Sequence, residues 1–367
     1  MIDPRMPKLA DVLVNYSCKA KKGDLFLVNG TDLAAPLIKE VYRAALRKGA
    51  NPYCKVAVDG VQEIFLKEAK PAQLKFVSPI TRMEIKTIDC LVGIGGTYNT
   101  KQFTNVDPKK QAVHRGAQKD IQKIFMERSS KGELRWVGTQ YPTHAAAQDA
   151  GMSLEEFEDF VFNACLVHKK DPVGEWKKVS MEQAKLVRWL NRKSEIHIVA
   201  KDTDITFNVG GRKWINCDGK NNFPDGEVFT GPVENSANGH IRYTFPAVYG
   251  GREVEDVYLE FREGRVVKAK AAKGQRYLHS MIDMDEGSRY VGELAIGTNY
   301  GIKNFTKNIL FDEKIGGTCH IALGAAYPET GSKNLSALHW DMICDLRKGG
   351  EIYANNRLFY KDGKLLI

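Results

Sequence analysis

Apolar and polar positions in the first half of the chain follow two alternating rhythms. Residues 24–29, Asp-Leu-Phe-Leu-Val-Asn, form a short apolar run closed by Gly30, which reads as a buried strand. After it, Leu33, Leu37, Val41 and Leu46 recur at near-helical spacing up to Gly49. Thr31 or Asp32 is placed to cap that helix. Residues 54–58, Cys-Lys-Val-Ala-Val, give the next strand, and 87–94 another. Ser153 with Glu156 makes a capping box ahead of Phe157, Phe160 and Val161, and a further helix is expected over 180–192. Strand, helix and strand in succession favour a mostly parallel sheet covered by helices.

The pattern changes near Ser194. Short alternating runs follow at 195–200, 205–209, 240–245, 257–261 and 265–269. Gly210-Gly211, Asn238-Gly239, Gly250-Gly251 and Glu263-Gly264 punctuate them as turns. A helix or two fits near 274–290. At 367 residues two domains are expected. The reading is an α/β N-terminal domain with a mostly parallel sheet over 1–195, and a β-rich α+β C-terminal domain over 196–367.

Composition narrows the function classes. Hydrophobic content of 43% and charged content of 27% are those of a folded globular protein. No apolar run reaches membrane-spanning length, and Met-Ile-Asp-Pro-Arg lacks the apolar core of a signal peptide. The seven cysteines are scattered, odd in number and without a Cys-x-x-Cys pair, which points to reduced thiols and a cytoplasmic location. The formal net charge of +9 permits an acidic partner. Its basic clusters, at Lys19, Lys21 and Lys22 and around Lys268, Lys270, Lys273 and Arg276, carry no RNA-recognition or zinc-finger signature. They read as solvated surface, so neither nucleic acid nor membrane is an expected partner. The glycine-rich stretch Leu-Val-Gly-Ile-Gly-Gly-Thr-Tyr-Asn at 91–99 follows a strand, but lacks the Gly-x-Gly-x-x-Gly spacing and a helix opening after Gly96.

The candidate chemistry lies in the second half. Residues 338–342 read Leu-His-Trp-Asp-Met. On a strand, Leu338, Trp340 and Met342 face one side, and His339 and Asp341 share the other. Glu227 opens an apolar strand in Pro-Asp-Gly-Glu-Val-Phe-Thr-Gly-Pro, and Glu293 stands alone in Val-Gly-Glu-Leu-Ala-Ile-Gly. Glu313, His320 and Tyr327 punctuate the apolar run from Asn308 to Tyr327. Singly, each has an ordinary structural reading. Together, several carboxylates in one β-rich domain would repel one another if they converge, and divalent cations remove that conflict. Carboxylates with two imidazoles suit Zn²⁺, Co²⁺ or Mn²⁺. A set of this size suggests a two-metal hydrolase, in which one carboxylate bridges the ions and a shared water is activated as hydroxide. Cys319 points away from His320 along a strand and reads as a core thiol. His240 and Glu234 lie in a hairpin context and read as structural.

At these stretches the chain resembles the thermophilic metalloaminopeptidase family, of the aminopeptidase T, AmpS and PepS type. The run from Asn308 to Ile343 carries most of the resemblance. Gly-Glu-Leu-Ala-Ile-Gly-Thr-Asn and Gly-Glu-Val-Phe-Thr-Gly-Pro support it, so that it covers roughly residues 224–345. The resemblance implies an exopeptidase that uses two divalent metals to remove N-terminal residues from short peptides. It implies Glu227, Glu293, His320, His339 and Asp341 as metal ligands, with Glu293 the bridge. It also implies Tyr327 as a donor to the oxyanion and Glu313 as a general base or a group behind the ligands. The loop from Glu313 to His320 is longer than the family pattern leads one to expect. A homodimer around an enclosed cavity is implied as well. The rival readings are another dinuclear hydrolase, an amidase or phosphoesterase, and a non-enzymatic basic binding protein.

Overall fold

The computed structural model describes residues 3–367. Phe26, Leu27 and Val28 are buried in succession, as a strand covered on both faces requires. Their strand, Leu25–Thr31, lies inside a five-stranded sheet ordered Asn51–Ala57, Leu25–Thr31, Cys90–Gly95, Arg135–Gln140 and Asn222–Phe223. All of its pairings are parallel. The edge strand Asn51–Ala57 is largely exposed. Helix Ala35–Arg47 turns Leu37, Ile38, Val41 and Ala45 inward.

Local details differ from the sequence expectation. Leu46 is exposed, because Ala45 takes the inward position one residue earlier. Neither Thr31 nor Asp32 caps the helix through its side chain; a 3₁₀ turn, Asp32–Ala34, leads into it instead. The Ser153–Glu156 capping box forms, with Glu156 N donating to Ser153 Oγ at 3.2 Å and Ser153 N donating to Glu156 Oε2 at 2.7 Å. After Cys90–Gly95 the next helix opens only at Pro108, so the glycine-rich stretch leads into no helix N-terminus that could cradle a phosphate.

The chain forms two compact units. The first runs to Val173 and includes Gly219–Pro224; the second comprises Gly174–Asp218 and Asp225–Ile367. The second is built from antiparallel sheet. One sheet has eight strands, ordered Arg265–Lys270, Tyr258–Arg262, Asn238–Arg242, Thr203–Asn208, Glu195–Ala200, Glu351–Ala354, Arg357–Lys361 and Lys364–Leu365. A second large sheet has five, ordered His339–Asp345, Thr318–Gly324, Val291–Gly297, Glu227–Thr230 and Ile215–Cys217, and a short two-stranded sheet pairs Ala247–Tyr249 with Arg252–Val254.

One hydrophobic core joins the two large sheets. Ile196, Ile198, Ile205, Phe207 and Leu259 come from the larger, and Leu294, Ile296, Ile321, Leu323, Trp340 and Met342 from the smaller. Leu186 and Leu190 add the end of helix Pro172–Leu190, which starts earlier than the expected 180–192. Each such side chain contributes roughly 1.5–3 kcal/mol by leaving water, enough together to fix the register of the five-stranded sheet. The architecture is thus an α/β unit with a parallel sheet and a β-rich α+β unit.

Candidate metal centre

The five-stranded sheet has one apolar face and one polar face. Val228, Leu294, Ile296, Cys319, Ile321, Leu323, Trp340, Met342 and Cys344 all lie in the core. The alternate positions point the other way. Strand pairing then sets out the polar face row by row. Glu293 pairs with Ala322, which pairs with Asp341. Phe229 pairs with Ala295, which pairs with His320. Glu227 lies opposite Gly297, and His339 opposite Gly324. Small residues at 295, 297, 322 and 324 leave room for the longer polar chains to converge above them.

The convergence is close. Glu293 Oε1 lies 3.4 Å from His320 Nε2, and Glu293 Oε2 lies 3.5 Å from His339 Nε2. Asp341 Oδ1 is 3.5 Å from His339 Nε2 and 3.9 Å from His320 Nε2. Glu227 Oε2 is 3.6 Å from His320 Nε2. Ligand atoms of Glu227, Glu293 and His320 lie within 4.8 Å of one another, as do those of Glu293, His339 and Asp341 and those of Glu313, His320 and Asp341. The sheet therefore brings together Glu227, Glu293, His320, His339 and Asp341, and Glu313 stands beside them despite its long loop.

Both imidazoles are oriented from behind. His320 Nδ1 is 3.0 Å from the Glu313 carbonyl, and His339 Nδ1 is 2.8 Å from the Ala325 carbonyl. A carbonyl accepts only from N–H, so Nδ1 carries the hydrogen and Nε2 faces the carboxylates. This is the arrangement that metal-binding histidines use. Glu227 is pinned at its backbone by the buried Gln183, whose Nε2 donates to the Glu227 carbonyl at 2.9 Å and to that of Cys217 at 2.9 Å. Gln183 Oε1 accepts from Thr298 at 3.0 Å.

Tyr327 lies at the rim. Its ring centroid is 5.3 Å from that of Phe229 and 5.2 Å from that of His339. Desolvation, followed by the Glu293, Asp341, Glu313 and Glu227 carboxylates, pushes its phenol above the ordinary range, so it remains a hydrogen-bond donor. Cys319 sits in the core, as its strand position requires. Glu234 is bound by Arg212, Ser332 and the Lys333 amide, and the His240 ring packs at a tilt against Tyr258.

The donor set fits divalent metal. Glu227 Oε2 and Asp341 Oδ1 are buried with no hydrogen-bond partner, although each lies near an imidazole Nε2. Burial raises the Glu227 and Glu293 carboxyls above their usual range, a cost that a cation removes. Burial alone would also lower the two histidines, but Glu293 and Glu227 beside His320, and Asp341 and Glu293 beside His339, raise each from 6.5 to about 10. In metal-free protein the imidazolium ions thus stand where a metal would.

That assignment makes the stability of metal-free protein depend on pH. A group raised in the folded state stabilises it fully below its unfolded value, and the gain is lost as pH rises through the folded value. The melting temperature of chelator-stripped protein is expected to fall from about pH 6.5 to about pH 10, and added Zn²⁺ to flatten the decline. Thermal melts across that range, with and without metal, provide the check. A stripped protein whose melting temperature rises over the interval would contradict the imidazolium assignment.

Sequence reasoning missed Lys314 and Gln183. Both are buried, Lys314 completely. Nothing in the local sequence separates either from an exposed polar residue, because a tertiary contact buries each.

The site is a carboxylate–imidazole centre of the kind found in metal-dependent hydrolases. The chain belongs to the thermophilic metalloprotease (M29) family, whose profile matches residues 2–365. The match extends the resemblance from the C-terminal motifs to almost the whole chain. Aminopeptidase 2 of Geobacillus stearothermophilus is 26% identical over 354 residues, 89% of this chain and 84% of that protein. Aminopeptidase AmpS of Bacillus subtilis is 26% identical over 345 residues, covering 87% and 83%. Aminopeptidase T of Thermus thermophilus is 25% identical over 356 residues, covering 88% and 85%. The solved structure of wild-type AmpT from Thermus thermophilus superposes with a TM-score of 0.87 at 21% identity, over 99% of both chains. A 2,5-dihydroxypyridine dioxygenase from Pseudomonas putida reaches 0.58 at 13% identity, over 98% of this chain and 96% of that one, a likeness of fold alone. Among the described residues no helix is long and apolar enough to cross a membrane.

Proposed function

We propose that this metal-dependent aminopeptidase removes N-terminal residues from short peptides at a centre for two divalent ions, Zn²⁺, Co²⁺ or Mn²⁺. The observation that carries the reading is Glu293, which turns one carboxylate oxygen toward His320 and the other toward His339. Glu227 and His320 would hold one ion, His339 and Asp341 the other, with Glu293 between them. When bound, such ions supply Lewis acidity to the scissile carbonyl and acidify a water.

The remaining work falls to the chain. Glu313, beside His320 and Asp341, accepts the proton of the attacking water and returns it to the leaving amine. The Tyr327 hydroxyl, kept protonated, donates to the oxyanion of the tetrahedral intermediate. The ring of Phe229 gives the substrate an apolar wall beside Tyr327. The two Nδ1-to-carbonyl bonds fix the imidazoles, so no reorientation is needed during turnover. The family resemblance supports a homodimer enclosing the site, and the seven free cysteines support a reducing, cytoplasmic compartment.

The test is hydrolysis of a leucyl chromogenic amide by chelator-stripped protein, before and after adding Co²⁺ or Zn²⁺. Activity is expected only with metal. It should vanish when the substrate's amine is acetylated, and a chromogenic phosphate ester should remain intact. Hydrolysis of the acetylated amide or of the phosphate ester would move the assignment to an amidase or a phosphoesterase.

A further inference from the structure

Lys314 is completely buried, and it stands among the carboxylates rather than in solvent. Its Nζ donates to Glu313 Oε1 and lies 3.6 Å from Glu227 Oε1. The backbone holds it there. Asn299 N donates to the Lys314 carbonyl at 3.0 Å, and Gly316 N donates to the Asn299 carbonyl at 2.9 Å. A Cβ at Gly297 would collide with the Ile315 carbonyl, so only glycine lets this segment cross the strand.

In Glu227 the oxygen that faces Lys314 is not the one that faces a histidine. Glu227 turns Oε1 to Lys314 and the unpartnered Oε2 to His320. Glu313 is close enough to His320 and Asp341 to join a metal site itself, yet its Oε1 is taken by the ammonium. A carboxylate oxygen that accepts a charged hydrogen bond has less electron density to offer a metal.

We propose that Lys314 is a positioning residue that withholds one oxygen of Glu227 and one of Glu313 from the metals. Glu227 thereby binds through a single oxygen, and Glu313 remains a proton carrier instead of becoming a ligand. The inference rests on the two-ion reading above.

The experiment is a titration of chelator-stripped wild type, K314M and K314Q with Co²⁺ alone, read by visible absorption, with leucyl amide turnover measured beside it. Wild-type stoichiometry tests the two-ion reading by itself; a single ion per chain would overturn that reading, while the comparison between variants still judges Lys314. In K314M the freed oxygens should enter the Co²⁺ shell. Absorption per ion then falls by about half, since higher coordination weakens these bands, and Co²⁺ binds about tenfold more tightly or better. Turnover falls about 100-fold, the loss of a general base, and excess metal does not restore it. Replacing Glu313 by Ala in the K314M background should return most of the wild-type spectrum. K314Q, whose amide still donates to one carboxylate, should lie between wild type and K314M, and it decides the question by the same readouts if K314M does not fold. A folded variant with the wild-type Co²⁺ spectrum and affinity, or with weakened Co²⁺ binding, would overturn the proposal.

Discussion

Glu293→Gln is expected to abolish peptide hydrolysis and to strip the centre of metal while leaving the protein folded. Glu293 is the one carboxylate that reaches both histidines through different oxygens. An amide retains one acceptor oxygen and turns an NH₂ donor toward the other imidazole. Either ion then loses an anionic ligand, and its Lewis acidity goes with it. Loss of about 4 kcal/mol of transition-state stabilisation corresponds to roughly 10³-fold in rate, and loss of both ions to more. Folding should survive, because Glu293 lies outside the apolar core and an imidazolium that loses its carboxylate partner can release its proton instead of staying charged and buried. Metal content by atomic emission, circular dichroism and turnover of the leucyl amide together give the check. A variant that keeps both its metal and its activity would remove Glu293 from the centre of the assignment.

The candidate site was legible as alternation and not as geometry. Strand periodicity set His339 and Asp341 opposite Leu338, Trp340 and Met342, because a period of two needs no tertiary information. It could not reveal that Glu293, Ala322 and Asp341 lie in one row, since register between strands is a long-range property. The alanines and glycines between the polar residues looked like ordinary strand filler, yet they make the convergence possible. Lys314 was hidden for a related reason. A Glu-Lys pair ahead of Gly-Gly reads as a solvated turn until the chain beyond it folds back on Asn299.

The first half was read more coarsely. Parallel strands buried on both faces appear as short apolar runs, so Phe26–Val28 could be seen. The exposed edge strand Asn51–Ala57 has no such signature along its whole length, and the pattern predicts a strand only over 54–58. Leu46 shows the opposite failure. The spacing of five residues after Val41 predicts an inward Leu46, although the inward face at that turn belongs to Ala45.

Glu313→Gln is expected to separate the base from the ligands. Glu313 lies beside His320 and Asp341, but its Oε1 is held by Lys314 and its backbone carbonyl by His320 Nδ1. The main-chain contact survives the substitution, so His320 keeps its orientation and the ions keep their places. The side chain loses its capacity to accept a proton from water. Turnover should fall roughly 10²- to 10⁴-fold, the range for removing a positioned general base. KM and bound metal should change little, because neither substrate binding nor the five ligands depends on the missing charge. This contrasts with Glu293→Gln, where rate and metal are lost together. Metal analysis of the two variants side by side therefore distinguishes the roles. If Glu313→Gln also sheds an ion, the carboxylate is a ligand, and the proton must pass through another group, for which the protonated Tyr327 hydroxyl beside His339 is the candidate.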